Sequence, residues 1–237
     1  MCSSDLRIDA RTGTIATVVG TGRKGFSGDG GPADKADFGG IYCIAFSPSG
    51  DRMVLTDLDN RRIRVVDMKT NVVQTVAGNG KRGVPTDGQV ATKAPLVDPR
   101  AAAVDDKGNV YILERNGDAL RVVDATGKIR TLVGKPSTEC RDEEGAVPRP
   151  LKGPKHLSIN PVGDVLIADS DNHMIRKYIP AEKRLVRVAG TGVKGAAGLN
   201  GPPLQAQLNQ PHGVIQHPSG AIYISDSSNH RVVKIEP

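Results

Sequence analysis

The sequence predicts an all-β chain: a β-propeller of four-stranded antiparallel blades. Three observations predict it. Two short elements recur at intervals of 55 to 58 residues. Each interval holds four short strand signals separated by turn signals. No helical periodicity of useful length competes with them.

The first recurring element is "LRIDARTGTIATVVG" (6–20), which aligns with "RVVDMKTNVVQTVAG" (64–78). Asp9 falls on Asp67, Thr12 on Thr70, Thr17 on Thr75 and Gly20 on Gly78. It returns as "RVVDATGKIRTLVG" (121–134) and "RKYIPAEKRLVRVAG" (176–190). The second element is "GDRMVLTDLDN", "GNVYILERNGD", "GDVLIADSDNH" and "GAIYISDSSNH". Its apolar run closes on Asp57, Glu114, Asp169 and Asp226, at spacings of 57, 55 and 57 residues.

The strands are clearest in the third full copy: "HLSIN", "DVLIAD", "MIRKYI" and "RLVRVAG", with "PVG", "SDN" and "PAEK" as turns. The second strand is apolar almost throughout, so both its faces should be covered. The third and fourth carry interleaved Arg and Lys and are expected nearer the outside. The segments follow in order: 7–40 as the outer strands of an incoming blade and its loop, blades over 41–98, 99–153 and 154–210, and a partial blade over 211–237. Residues 1–6, "MCSSDL", lack the basic and apolar regions of a secretory leader. They match the in-frame reading of GTGTGCTCTTCCGATCT, the end of a common sequencing adapter, and are expected to be an assembly artefact.

Composition agrees with this architecture. The 237 residues suffice for one large domain or two small ones. Aromatics are 3% and Trp is absent, so the core must be built from Val, Ile, Leu and Ala. The 28 glycines and 16 prolines suit many turns and short strands. No run of about 18 apolar residues is present, which excludes a helical membrane span. Cys2, Cys43 and Cys140 form neither a CxxC pair nor an even framework, and Cys43 reads as a core residue. The net charge of +6 is spread along the chain and points only weakly to acidic partners.

Several motifs look like chemistry. "ADSDNHMIRK" (168–177) packs two carboxylates, an amide and an imidazole together. Asp169 and Asn172 recur as Asp57 and Asn60, and as Asp226 and Asn229, so each blade uses them, and Asp/Asn side chains close turns by bonding to nearby amides. His173 and His230 follow on separate blades, so a shared metal is not expected. "GTGRKG" (20–25), "GNGKRG" (78–83) and "GTGVKG" (190–195) match GxGxxG, but each leads into a Pro/Gly-rich loop and not the helix a dinucleotide site needs.

Eight residues before the glycine that precedes each second strand stand Tyr42, Arg100, Lys155 and His212. One per blade, they would rim one mouth of a propeller channel as a basic ring able to receive a carboxylate, phosphate or acidic peptide. Only His212 there is a candidate metal ligand. His156 is one residue out of register and His217 lies in a turn. No catalytic set, metal site or cofactor is predicted.

"LIADSDNHMIRKY" and "YISDSSNHRVVKI", with the "PHGV" start and "VAGTG" close, resemble the NHL repeat over about residues 7–237. The second copy departs, with Glu114 and "RNGD". The loop "GTGRKGFSGDGGPADKADF" is similar to that of bacterial NHL proteins. The resemblance implies a propeller, usually six-bladed, which makes this chain look like a truncated piece about two blades short, and it leans towards an extracytoplasmic bacterial protein. It implies a binding scaffold, presenting a loop face to a protein, peptide or glycan. Two alternatives stay open: a metal-dependent propeller lyase or hydrolase with an axial site, and single-stranded RNA binding on a basic face, for which stacking aromatics are few.

Overall fold

The computed structural model describes residues 5–135, 140–142 and 149–237. Cys2 and the first four residues of the suspected artefact lie outside them. The incoming ribbon is β1 (Asp5–Ile8) with β2 (Ile15–Val19). The first complete blade holds β3 (Ile41–Phe46), β4 (Arg52–Asp57), β5 (Arg62–Asp67) and β6 (Val72–Ala77). The second holds β7 (Pro99–Val104), β8 (Val110–Glu114), β9 (Ala119–Val123) and β10 (Ile129–Val133). The third holds β11 (His156–Ile159), β12 (Val165–Asp169), β13 (Met174–Ile179) and β14 (Arg184–Ala189). The last sheet has three strands: β15 (Gly213–Gln216), β16 (Ile222–Asp226) and β17 (Arg231–Ile235). Each sheet is a meander in sequence order, which short polar turns permit and parallel crossovers would not. The chain is thus an all-β propeller fold.

Two compact units share the residues: 1–110 with 123–129, and 111–122 with 130–237. In the first, Phe38, Leu55, Met53, Val66 and Val73 pack with Val19, Ala33 and Ala36. In the second, Leu166, Ala168, Ile175, Leu208, Val214 and Ile224 form the corresponding core. Aliphatic residues fill the second core, and Phe38 is the one aromatic among the described residues of the first. The second strands β8 and β12 are buried along their whole length.

One expectation fails. The arginines of the third strands do not lie outside: Arg64 and Arg121 are fully buried and Arg176 nearly so. Each lies seven residues beyond the carboxylate that closes the second strand, and charge partners hold it inside. Cys43 is half-buried, whereas Cys140 is buried and burial pushes its thiol up to about 11. No helix among the described residues is long and apolar enough to cross a membrane.

The "GxG" loops turn as tight connections. Gly20, Gly78 and Gly190 all have positive φ, and a Cβ at Gly78 would collide with the Arg61 carbonyl oxygen. Only single 3-10 turns follow, at Ala33–Lys35, Ala91–Lys93 and Pro203–Gln205. No helix N-terminus stands behind these glycines to hold a pyrophosphate.

Candidate functional site

Two kinds of site were singled out in the sequence, the loop carboxylates and the residues at the starts of the first strands. Asp57 closes β4 and is fully buried. Its Oδ1 accepts the Gly39 and Gly40 amides at 2.9 and 3.3 Å, and its Oδ2 accepts Asn60 Nδ2 at 2.8 Å. The same Asn60 nitrogen donates to the Gly25 carbonyl at 2.7 Å. Asp169 repeats this with the Lys152 amide at 2.8 Å and Asn172 Nδ2 at 2.9 Å, and Asn172 donates to Pro150 O at 2.8 Å. Asp226 repeats it with the Asn209 amide at 2.7 Å and Asn229 Nδ2 at 2.7 Å, and Asn229 donates to Gly195 O at 2.7 Å. Each carboxylate therefore ties its turn to the loop that enters its own blade. Burial pushes the Asp57 and Asp169 carboxyls up, against the opposing pull of these donors.

Arginine completes the clusters in different ways. Arg176 Nη1 reaches Asp169 Oδ2 at 3.3 Å and the Arg149 carbonyl at 2.5 Å. Arg64 instead bonds Asp29 Oδ1 at 2.9 Å and the Ser27 and Asp37 carbonyls. Val233 stands where these arginines stand, and Arg231 Nε reaches Asp226 Oδ2 at 2.8 Å from two residues earlier. These arginines escaped the sequence reading, although their fixed offset from the carboxylate in three blades was a usable signal.

The residue after each Asn position sits in left-handed backbone: Arg61, Asp118, His173 and His230 have φ between 46° and 54°. His173 and His230 thus occupy a position set by backbone geometry. His173 Nδ1 accepts the Gln210 amide at 3.2 Å. Among the described residues no three of His, Cys, Asp or Glu come together as metal ligands.

The four first-strand residues form two neighbouring pairs, one in each compact unit. The Arg100 guanidinium lies over the Tyr42 ring, its carbon 3.7 Å from the centroid. A bulge places Tyr42 there: Ile41 pairs with Asp57 and Cys43 with Thr56, leaving Tyr42 without a partner in the ladder. The buried Arg100 Nε has no hydrogen-bond partner among the described residues. Lys155 Nζ contacts His212 Nε2. His156 turns away from this pair, and its Nδ1 accepts the Val214 amide at 3.4 Å. Burial pushes the His156 imidazole down, which favours its neutral form.

Blades of four antiparallel strands, closed by Asp-x-x-Asn turns, define an NHL-repeat β-propeller. Within that class the chain belongs to the family described as Teneurin NHL domain, whose pattern matches residues 65–194; an NHL repeat is matched at 208–235. Mouse teneurin-3 is 27% identical over 94% of this chain and 9% of its own length. A nidogen–laminin complex contains a chain with TM-score 0.62 and 18% identity, covering 98% of this chain and 67% of that one. A streptogramin B lyase gives TM-score 0.57 and 13% identity over 99% of this chain and 63% of that one. Both structures share the fold. The chain spans about a fifth or less of the length of the first relatives it matches, 22% and 9%.

Proposed function

We propose that the chain is a binding scaffold whose first-strand ends receive an anionic group of a protein, peptide or glycan partner. Arg100 carries the reading. Its guanidinium carbon lies 3.7 Å from the Tyr42 ring centroid, a cation–π contact that fixes the charge at the strand end. A guanidinium fixed by an aromatic ring loses little rotamer freedom when a carboxylate or phosphate binds it. The carboxylates that looked catalytic are meanwhile fully occupied in holding loops, so no general acid or base is free in them.

A fluorescent octaglutamate peptide tests this by anisotropy. Binding should weaken as salt rises, and Arg100→Ala with Lys155→Ala should weaken it by about tenfold, ~1.4 kcal/mol. Unchanged affinity in the double variant would sink the reading. Tight binding of single-stranded oligonucleotides, with none of the peptide, would favour RNA instead.

A further inference from the structure

Cations are scattered along the sequence, but the fold gathers five of them on one surface of the first compact unit. The loop from β6 to β7 supplies Lys81, Arg82 and Lys93, and the turn after β4 supplies Arg61 and Arg62. Asn79 ties the two segments together. Its carbonyl accepts Arg62 Nη2 at 3.1 Å, its Nδ2 donates to the Lys93 carbonyl at 2.8 Å, and its Oδ1 accepts the Lys81 amide at 2.9 Å. Arg62 is held further: Nη1 donates to the Asn60 carbonyl at 3.0 Å, and the guanidinium carbon lies 3.7 Å from the Phe26 ring centroid. Lys81, Arg82 and Lys93 are exposed. Among the described residues no carboxylate lies within ion-pair distance of any of the five.

The loop before the first blade carries cations at the same three positions and neutralises each one. Residues 20–35 align without gaps on 78–93, so Arg23, Lys24 and Lys35 match Lys81, Arg82 and Lys93. Arg23 pairs with Asp37 at 3.4 Å, Lys24 with Asp59 at 2.9 Å and Lys35 with Asp34 at 3.2 Å. Where those three carboxylates stand, the next repeat has Pro95, Asn116 and Thr92. The charges stay in the second loop and their partners do not.

The third blade shows that the architecture does not require the charges. Its residues at the five positions are His173, Met174, Val193, Lys194 and Gln205, with one lysine among them. A Cβ at Gly80 would meet the Arg62 guanidinium, and a Cβ at Gly192 would meet Met174, so both side chains cross the same glycine turn. Methionine packs there as arginine does, and the positive surface is a property of the first blade alone among these two.

Five unpaired cations on one surface suit a polyanion. Bases of a single-stranded nucleic acid need aromatic rings to stack on, and Phe26, the ring at this surface, is already stacked under Arg62. An anionic membrane calls for bulky apolar side chains beside the cations, and the large apolar residues this loop exposes are Val84 and Val90. A sulfated polysaccharide needs neither. It offers fixed charges along a chain, which ammonium and guanidinium groups on separate tips can meet one by one. We propose that Arg61, Arg62, Lys81, Arg82 and Lys93 form a binding surface for a sulfated polysaccharide. Arg62, pinned by Phe26 and two carbonyls, sets one charge in place before the chain arrives.

Calorimetric titration with a heparin decasaccharide tests this, with the fully desulfated decasaccharide as control. Binding should weaken as salt rises and vanish on desulfation. Lys81→Ala with Arg82→Ala and Lys93→Ala should weaken it by about tenfold or more. Their Tm should not change, because the backbones of Lys81 and Lys93, not their side chains, bond to Asn79. Arg62→Met, which copies the third blade, should weaken binding several-fold in an equally stable chain. Arg100→Ala with Lys155→Ala should leave it unchanged, which separates this surface from the first-strand ends. Unchanged affinity in both the triple variant and Arg62→Met would overturn the proposal. So would equal binding of the desulfated chain, or tighter binding of a single-stranded oligonucleotide or of phosphatidylserine vesicles that the triple variant abolishes.

Discussion

The turns closing β8 and β12 perform one task with different residues. At β12, Asp169 receives the Lys152 amide, the Asn172 amide and Arg176. At β8, the longer Glu114 meets Arg121 Nε at 2.6 Å, and Arg121 passes on to Thr131 Oγ1 at 2.5 Å. Gly117 stands where Asn172 stands, and a Cβ there would come within 2.9 Å of Glu114 Oε2. The extra methylene of glutamate thus occupies the room that asparagine takes elsewhere. What the blade requires is a buried carboxylate anchored on several sides, and the repeat tolerates any side-chain set that supplies one.

The comparison breaks hardest at the arginines. Both Glu114 and Arg121 are fully buried. Arg121→Ala would remove the guanidinium that faces a buried carboxylate and should cost about 3–5 kcal/mol. Arg176→Ala leaves Asp169 with its two amide donors and should cost about 1–3 kcal/mol. Urea unfolding of the two variants measures the difference, and equal losses would mean that Asn172 contributes nothing to holding Asp169.

Exchange of the two solutions sharpens it. Gly117→Asn alone crowds Glu114 and should destabilise by about 1–3 kcal/mol. Adding Glu114→Asp rebuilds the β12 arrangement at β8 and should recover most of that loss. A coupling energy of at least about 1 kcal/mol in the double-mutant cycle is expected. Simple additivity would show that the side chains do not share the space.

The pH response separates Asp169 from the surface carboxylates by sign. Burial raises its folded-state pKa above 3.8. The folded chain then holds a proton that the unfolded chain has lost, so this group's contribution is full below 3.8 and fades as pH rises through the raised value. Asp67 behaves oppositely: the Thr70 and Lys69 amides lower its pKa, so its contribution is present above 3.8 and is lost as pH falls. Across pH 4 to 7, Asp169→Asn should therefore flatten the fall in urea midpoint with rising pH. A steeper fall in that variant would reverse the assignment.

The period of Asp57, Glu114, Asp169 and Asp226 was legible in sequence because every blade needs the same anchored turn. The blades followed from it, since four short apolar runs per period leave little else to build. Burial of Arg121 was not legible, because alternating charge in a strand looks the same whether it faces water or a hidden carboxylate. Nor was the placement of Tyr42, which depends on a bulge whose cause lies in pairing and not in local composition. The pairing of Lys155 with His212 joins residues 57 apart and emerges only when first strands lie side by side.

The smallest effect lies at the left-handed residue of each turn, Asp118 after β8 and His173 after β12, with φ of 46° and 54°. Each also accepts an amide from the loop entering the next blade: Gly153 donates to Asp118 Oδ1 at 2.8 Å and Gln210 to His173 Nδ1 at 3.2 Å. Asparagine tolerates this backbone and offers an acceptor, so His173→Asn should stay within about 0.5 kcal/mol of the parent. His173→Val keeps neither property and should cost about 1–2 kcal/mol from the backbone alone. If the imidazole itself were what the position needs, as for a ligand to a metal or an anion, asparagine would fail as badly as valine. Unfolding midpoints of the two variants, measured side by side, decide between a backbone role and an imidazole role.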